Sequence, residues 1–323
     1  MEVPDALPVP PAAALPEDAA AAGEEPEKAE KEEAEQAAPA KKEDDSTRQQ
    51  RRLANKTLKS AREKLLACRS IQTSLRETVS LGGRRFRAEG SYIQGADLKL
   101  RLDFSIQIGS TEGSLLEVCD GGVLWTRHQA GVQSRITRRD VRQILRAADG
   151  RVEQNVLVAE LGLGGLPALL AALDDSMVFN SWRKEEIDGR PFTLIEGAWK
   201  DSILSRFKGG KEDRPLPEHI PDSVRIWFDE ATLFPRRIMY LKSPAGEDWS
   251  RPMVTLDFLD VVLNAPVNDD EFYFVPPDGV VPRDVTNEYL QRLKQVAQPA
   301  GEAASPAAPA TSAPAGTSEK PAP

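Results

Sequence analysis

The chain has 323 residues, with 42 lysines and arginines against 51 aspartates and glutamates, for a net charge of −9. The acidic excess lies in the first 47 residues, so the middle of the chain is close to neutral and is poorly suited to gripping a nucleic-acid phosphate backbone. Two cysteines and two histidines are too few for a Cys/His zinc cluster, and no apolar run is long enough for a membrane-spanning helix.

The two ends of the chain predict disordered tails. Residues 1–47 are rich in Ala, Pro and Glu, and residues 298–323 are rich in Pro and Ala. Such compositions cannot bury a core, whereas every aromatic residue lies between Phe86 and Tyr289. We therefore expect one folded domain over 48–297, with the tails acting as linkers.

The folded part is expected to begin with a helix over 51–70, in which apolar residues recur at helical spacing. The pattern then alternates, most clearly along a long strand with one apolar and one polar face. The apolar positions of this strand are Leu98, Leu100, Leu102, Phe104, Ile106 and Ile108. Shorter alternating segments at 224–228, 238–240, 254–258 and 272–274 predict further strands.

Glycine-containing turns separate these strands. Gly82-Gly83, Asp120-Gly121-Gly122 and Asp188-Gly189 all tolerate the backbone of tight hairpins. Three further helices are predicted, over 140–148, over 166–173 and over 285–296. The expected fold is mainly β (α+β), with a large antiparallel sheet, one helix before it and a helical insert at mid-chain.

No catalytic motif is present. The glycines at 162–165 and at 209–210 lack the spacing of a phosphate-binding loop, and His128 and His219 are expected in loops. Cys68 and Cys119 could pair in an oxidising compartment or remain two buried free thiols. We therefore expect no enzyme, no cofactor and no metal.

Three segments together resemble the LolA/LolB-like lipoprotein-carrier superfamily. They are Val118–Trp125, which runs strand, Asp-Gly turn, strand; the short helix Leu166–Leu173; and the segment Phe272–Val280 with its Phe-x-Phe-x-Pro-Pro-x-Gly-Val pattern. The resemblance covers roughly residues 53–285 in the same order. It implies an incomplete, strongly curved antiparallel barrel around a hydrophobic cavity, with a helical lid. Gly95-Ala96 stands where that family carries the Arg-Pro pair that holds the lid closed.

The resemblance implies a non-enzymatic carrier or chaperone that binds lipid or the acyl chains of a lipoprotein. The expected ligand-binding residues are Leu98, Leu100, Leu102, Phe104, Ile106, Ile108, Leu166, Leu169, Leu170 and Leu173. The apolar stripe could equally be ordinary core. Two alternatives are an RseB-like regulatory or sensory module that binds an envelope protein, and an interaction module whose cavity is filled by its own side chains.

The resemblance also implies a monomer in the periplasm or cell envelope. The beginning of the sequence, Met1-Glu2-Val3-Pro4, shows neither the basic nor the apolar region of a secretory signal, so the cytoplasm is the other possible location.

Overall fold

A computed structural model of the chain describes residues 45–108, 111–148, 165–211, 214–243 and 249–296. Within these ranges twelve strands form one sheet. They are β1 (Ile71–Leu81), β2 (Arg84–Gln94), β3 (Lys99–Ile108), β4 (Thr111–Asp120), β5 (Val123–Ala130), β6 (Gln133–Asp140), β7 (Met177–Ile187), β8 (Arg190–Trp199), β9 (Ser223–Asp229), β10 (Pro235–Lys242), β11 (Arg251–Leu263) and β12 (Arg283–Asp284).

In the described part of the chain, five α-helices accompany the sheet. They are α1 (Asp45–Leu66), α2 (Val141–Ala148), α3 (Gly165–Ser176), α4 (Asp201–Lys208) and α5 (Thr286–Val296), with a 3-10 turn at Asp269–Phe272. The predicted mainly β fold, with an N-terminal helix and a mid-chain helix, is confirmed.

The sheet consists of two antiparallel meanders joined side by side. The order is β12-β6-β5-β4-β3-β2-β1-β11-β10-β9-β8-β7, so β1 and β11 pair at the centre. Strands β7 and β12 stand at opposite ends, and the barrel is therefore curved but unclosed. Register shifts interrupt four strand pairs, including β1 with β11 between Gln72 and Ser74. Such bulges bend strands and increase their twist, which curves the sheet.

The inner face of the sheet, defined as the face that carries Ile71, Leu100 and Phe104, meets the helices in one hydrophobic core. Helix α1 contributes Ala54, Leu58, Ala61 and Leu65, one apolar stripe at helical spacing. It is fixed to β7 by a hydrogen bond from Trp182 Nε1 to Thr57 Oγ1, at 3.1 Å.

The outer face of β3–β5 carries a C-terminal strap, residues 264–285. Lys99 on β3 pairs with Asp269 at 2.8 Å, and the ring of Phe274 lies 5.6 Å from that of Trp125 on β5. The strap then adds β12 in parallel to the edge of β6, and α5 follows beside α2. Because β12 and α5 cover the β6 end, that edge of the sheet is not left open for pairing.

Several predicted boundaries are wrong. Helix α1 begins at Asp45, inside the predicted 1–47 tail, and ends at Leu66 because the Arg69 N–H is bound by Asn264 Oδ1 at 2.8 Å. Leu98 belongs to the turn before β3, with a left-handed φ of 65°. The predicted strand at 272–274 is a 3-10 turn followed by irregular chain within the strap.

Three elements were not predicted, and one residue was misplaced. Helix α4, strand β6 and the two-residue strand β12 have no counterpart in the prediction from sequence, and His128, which was expected in a loop, lies on β5. The predicted turns at 82–83, 120–122 and 188–189 all join consecutive strands as expected.

Candidate functional site

The predicted ligand-binding stripe on β3 divides into covered and partly open positions. Leu100 and Phe104 are buried, with 3% and 7% of their surfaces exposed, whereas Leu102 and Ile106 are only half-buried. Leu98, although it lies in the turn before the strand, packs against the same core. Ile108 is the last residue of β3, and the surroundings of its side chain lie outside the described part of the chain.

Helix α3 occupies the position expected of the lid. Leu166, Leu170 and Leu173 are buried in the shared core, and Leu169 packs against it. The structure therefore brings the four α3 positions and five of the six predicted β3 positions into one cluster. Whether any of them contacts a ligand stays a prediction.

The first turn of α3 sits directly on the inner face of β2. Gly165 has a φ of 54°, and a Cβ atom there would lie 1.8 Å from the Tyr92 hydroxyl and 2.3 Å from Gln94 Oε1. The Tyr92 hydroxyl donates to Gln94 Oε1 at 2.7 Å. Burial raises the pKa of Tyr92, opposed by a hydrogen bond with the Leu166 backbone. Only glycine allows this approach, so α3 is latched to β2 although the Arg-Pro pair of the resembling family is absent.

Beyond α3, the inner face presents an open patch, defined by six half-buried apolar side chains. They are Val79 and Leu81 on β1, Leu102 and Ile106 on β3, Leu115 on β4 and Leu256 on β11. The strand pairings place all six on the inner face. Leu102 lies directly opposite Tyr92 on β2, beside the contact with α3, and the rest of the patch extends from there toward the far ends of β1 and β3.

Glu77 lies within the open patch. It stands directly opposite Ala88 on β2 and Leu256 on β11. Burial alone raises the pKa of Glu77 to about 7. Among the described residues no hydrogen bond or ion pair reaches its carboxyl group. The buried Tyr240 on β10 is near enough for Glu77 to raise its pKa further, and its hydroxyl also has no hydrogen-bond partner in the described part of the chain.

A second acid on the inner face, Glu117, makes both a hydrogen bond and an ion pair. Glu117 on β4 accepts a hydrogen bond from Thr126 at 3.2 Å and pairs with Arg139 on β6 at 3.6 Å. Arg139 also donates to the Tyr289 hydroxyl of α5 at 2.6 Å. Burial raises the pKa of Glu117, and Arg139 opposes the shift. This network connects α5 to the sheet through Arg139, and both contacts of Glu117 are made by its Oε1 atom.

A separate polar cavity of about 380 Å³ lies at the other end of the sheet, between the turn before β3 and the strap. Its lining includes Asp97, Lys99, Asn264 and Asp269. Lys99 and Asp269 are already paired to each other, and the Asn264 side chain is bound by the Arg69 N–H. The cavity walls are thus held by internal contacts between β3 and the strap.

The described residues show no arrangement for metal-assisted or thiol chemistry. No group of three His, Cys, Asp or Glu side chains within them could hold a metal ion. Cys68 and Cys119 are separate free thiols, and burial raises the pKa of Cys119 to about 11, which suppresses its nucleophilic thiolate. Within the same ranges, no helix is long and apolar enough to cross a membrane.

No family model matches the chain, and no curated protein matches it significantly. Several solved structures do. The MucA/MucB complex of Pseudomonas aeruginosa is 12% identical, with a TM-score of 0.35, and the match covers 69% of this chain and 61% of that chain. LprF of Mycobacterium bovis is 10% identical, with a TM-score of 0.35 and coverage of 67% and 95%.

A third match is a domain from Vibrio parahaemolyticus assigned to outer membrane lipoprotein sorting. It is 11% identical, with a TM-score of 0.31 and coverage of 68% and 97%. In a crystal structure of MucB, the part of MucB that this chain matches is 63% of its length, a little less than two thirds.

Proposed function

We propose that this protein binds lipid, or the acyl chains of a lipoprotein, on the inner face of its half-open sheet, and that it does so without catalysing a reaction. The observation that carries the proposal is the open patch, whose apolar side chains pack against the core yet remain half-buried around Glu77. A soluble domain normally buries such a surface against its own elements. A partly exposed apolar sheet face beside a docked helix is suited to an elongated apolar ligand.

The energetics favour an acyl chain as the ligand. Each methylene group moved from water to an apolar surface contributes about 0.8 kcal/mol, so a long chain contributes roughly ten kcal/mol before ordering costs. No charged group needs to react. The protein would hold the acyl chain by burial of its apolar surface.

The binding test uses the full chain, purified without detergent, with native mass spectrometry and titration of a fluorescent fatty acid. We expect bound lipid and saturable binding. In the variant Leu102→Glu a charge enters the open patch, and binding should fall at least tenfold. Ser105→Glu is the matched control, because Ser105 lies three residues away on the exposed outer face of the same strand. Failure of the wild-type protein to bind any probe would refute the proposal.

A partner-binding function is the second candidate. The strap exposes large apolar side chains, with Tyr273 69% and Val281 91% accessible. Exposed apolar residues on an irregular segment are typical of surfaces that bind other proteins. We propose the cell envelope as the location for either function, by the resemblance in sequence. Saturable lipid binding that is unaffected by Tyr273→Ser would favour the carrier function.

A further inference from the structure

The open patch contains a polar group whose chemistry restricts the ligand. Glu77 is a carboxyl group placed among apolar side chains, and none of the described residues supplies it with a hydrogen bond or an opposite charge. Glu77 is half-buried, so its carboxyl group lies among apolar neighbours on the sheet while it stays accessible to water, and a perturbed carboxyl group at such a position is a candidate for contact with a ligand.

A row of cross-strand neighbours leads away from Glu77. Ala88 on β2 lies opposite Glu77, Ile106 on β3 lies opposite Ala88, and Gly113 on β4 lies opposite Ile106. Two of these three positions carry the smallest side chains, and none of the three is charged. It crosses three strand spacings, roughly 14 Å. That length suits a medium-length alkyl chain lying across the strands.

We propose that the open patch binds an amphiphile with a cationic amine head group, with the amine at Glu77 and the alkyl chain along the row toward Gly113. The inference rests on the proposed function, since it names the ligand class of the same surface. The carboxylate of Glu77 would accept charge-assisted hydrogen bonds from the amine, which are stronger than neutral ones. The charge of Glu77 helps to raise the pKa of Tyr240 on β10, so the Tyr240 hydroxyl is a candidate for a further polar contact with the head group.

The neighbouring charges support this assignment. Of the two strands that pair with β1, β11 carries only Val254, Leu256 and Phe258 at the adjacent inner positions. On β2 the ionisable inner residues are Arg84, at the hairpin end, and Tyr92, beneath α3. Neither contributes to the raised pKa of Glu77, for which burial is the only cause. A bound cation would therefore supply an opposite charge that none of the described residues provides.

The pH dependence follows from the protonation of Glu77. Because its pKa is about 7, the carboxyl is largely neutral at pH 6 and largely ionised at pH 8.5. A primary alkylamine stays cationic over this interval, as a lysine side chain does. Affinity for the amine should therefore rise by about tenfold from pH 6 to pH 8.5, whereas affinity for a fatty acid of equal length should fall.

The test measures binding of dodecylamine and of dodecanoic acid to the full chain by calorimetry, below the concentration at which either aggregates. We expect Glu77→Gln to weaken dodecylamine binding at least tenfold at pH 8.5 and to abolish its pH dependence. Dodecanoic acid should bind the variant as well as, or better than, the wild type. Glu89→Gln is the matched control, because Glu89 lies on the outer face of β2, paired with Arg87 at 2.6 Å.

The outcomes separate the two proposals. If dodecylamine binds wild type and Glu77→Gln equally at both pH values, the role of Glu77 is refuted while apolar binding stands. If neither probe binds the wild type, the proposed lipid-binding function itself fails. Tyr240→Phe keeps the ring and removes the hydroxyl, and a loss of amine affinity in this folded variant would add Tyr240 to the head-group site.

Discussion

Replacement of Glu77 by glutamine should make the protein more stable at alkaline pH. The folded protein holds the Glu77 proton up to a pKa of about 7, whereas the reference value is 4.5. Between these values the folded state binds more protons than the unfolded chain, so the free energy of unfolding falls as pH rises. The two pKa values differ by roughly 2.5, which corresponds to about 3 kcal/mol lost by pH 8.5. Glutamine imitates the protonated carboxyl and removes this loss.

Urea unfolding followed by circular dichroism from pH 5 to pH 8.5 would measure this effect. We expect Glu77→Gln and wild type to be nearly equally stable at pH 5, and the variant to be about 2–3 kcal/mol more stable at pH 8.5. Glu89→Gln, which removes an exposed ion pair, should change stability by less than about 1 kcal/mol at either pH. If the difference between Glu77→Gln and wild type did not depend on pH, the raised pKa of Glu77 would be refuted.

Two further substitutions test how the helices are held on the inner face. Gly165→Ala should lower the free energy of unfolding by at least about 2 kcal/mol and speed amide exchange in α3. Gly189 also has a left-handed backbone but has open space around it, so Gly189→Ala should lower the free energy of unfolding by only about 1 kcal/mol. Equal losses in the two variants would refute the latch. Arg139→Met should lower the free energy of unfolding by about 3 kcal/mol, measured by heat or urea, because Glu117 would be left without its charge partner. Arg138→Met breaks only an exposed ion pair and should lower it by less than about 1 kcal/mol. A loss at Arg139 no larger than at Arg138 would contradict the buried network.

Local sequence predicted the strands that have one buried face. In β3 the alternation from Leu100 to Ile106 is strict because the helices cover one side and the other side meets solvent or the strap. The Asp188-Gly189 turn was also predicted from the local sequence, because both residue types tolerate the left-handed backbone that a two-residue hairpin needs, and both adopt it. These features depend on neighbours along the chain, which a single sequence contains.

The missed elements depend on contacts between distant segments. Phe272 and Phe274 alternate like strand residues, but Pro276 and Pro277 follow them and lack the N–H groups of a ladder. Phe272 packs beside Gly95, a contact that no local pattern indicates. Helix α4 is short and has no buried residue, so its sequence carries no strong periodic signal.

The candidate site was likewise predicted from the sequence only in part. The sequence identified the apolar stripe and the α3 leucines, yet it could not separate covered from open positions, because that depends on where α3 docks. Glu77 was not predicted at all. Leu256, which packs opposite Glu77, lies far along the chain on β11. The residues next to Glu77 on β1 are mostly polar, so the local sequence did not indicate that its side chain would be half-buried. The latch at Gly165 was likewise invisible, because Tyr92 and Gln94 reach it only in the folded sheet.

The position of α3 has a consequence for how a ligand would enter. The latch holds α3 over Tyr92 and Gln94, at the end of β2, whereas the row from Glu77 to Gly113 crosses β2 at Ala88, four residues from Tyr92. A ligand lying along that row would not need to displace the helix. Binding would then slow amide exchange in β1 and β2 around Glu77 while leaving α3 unchanged, whereas a ligand that enters under a moving lid would alter exchange in α3 first.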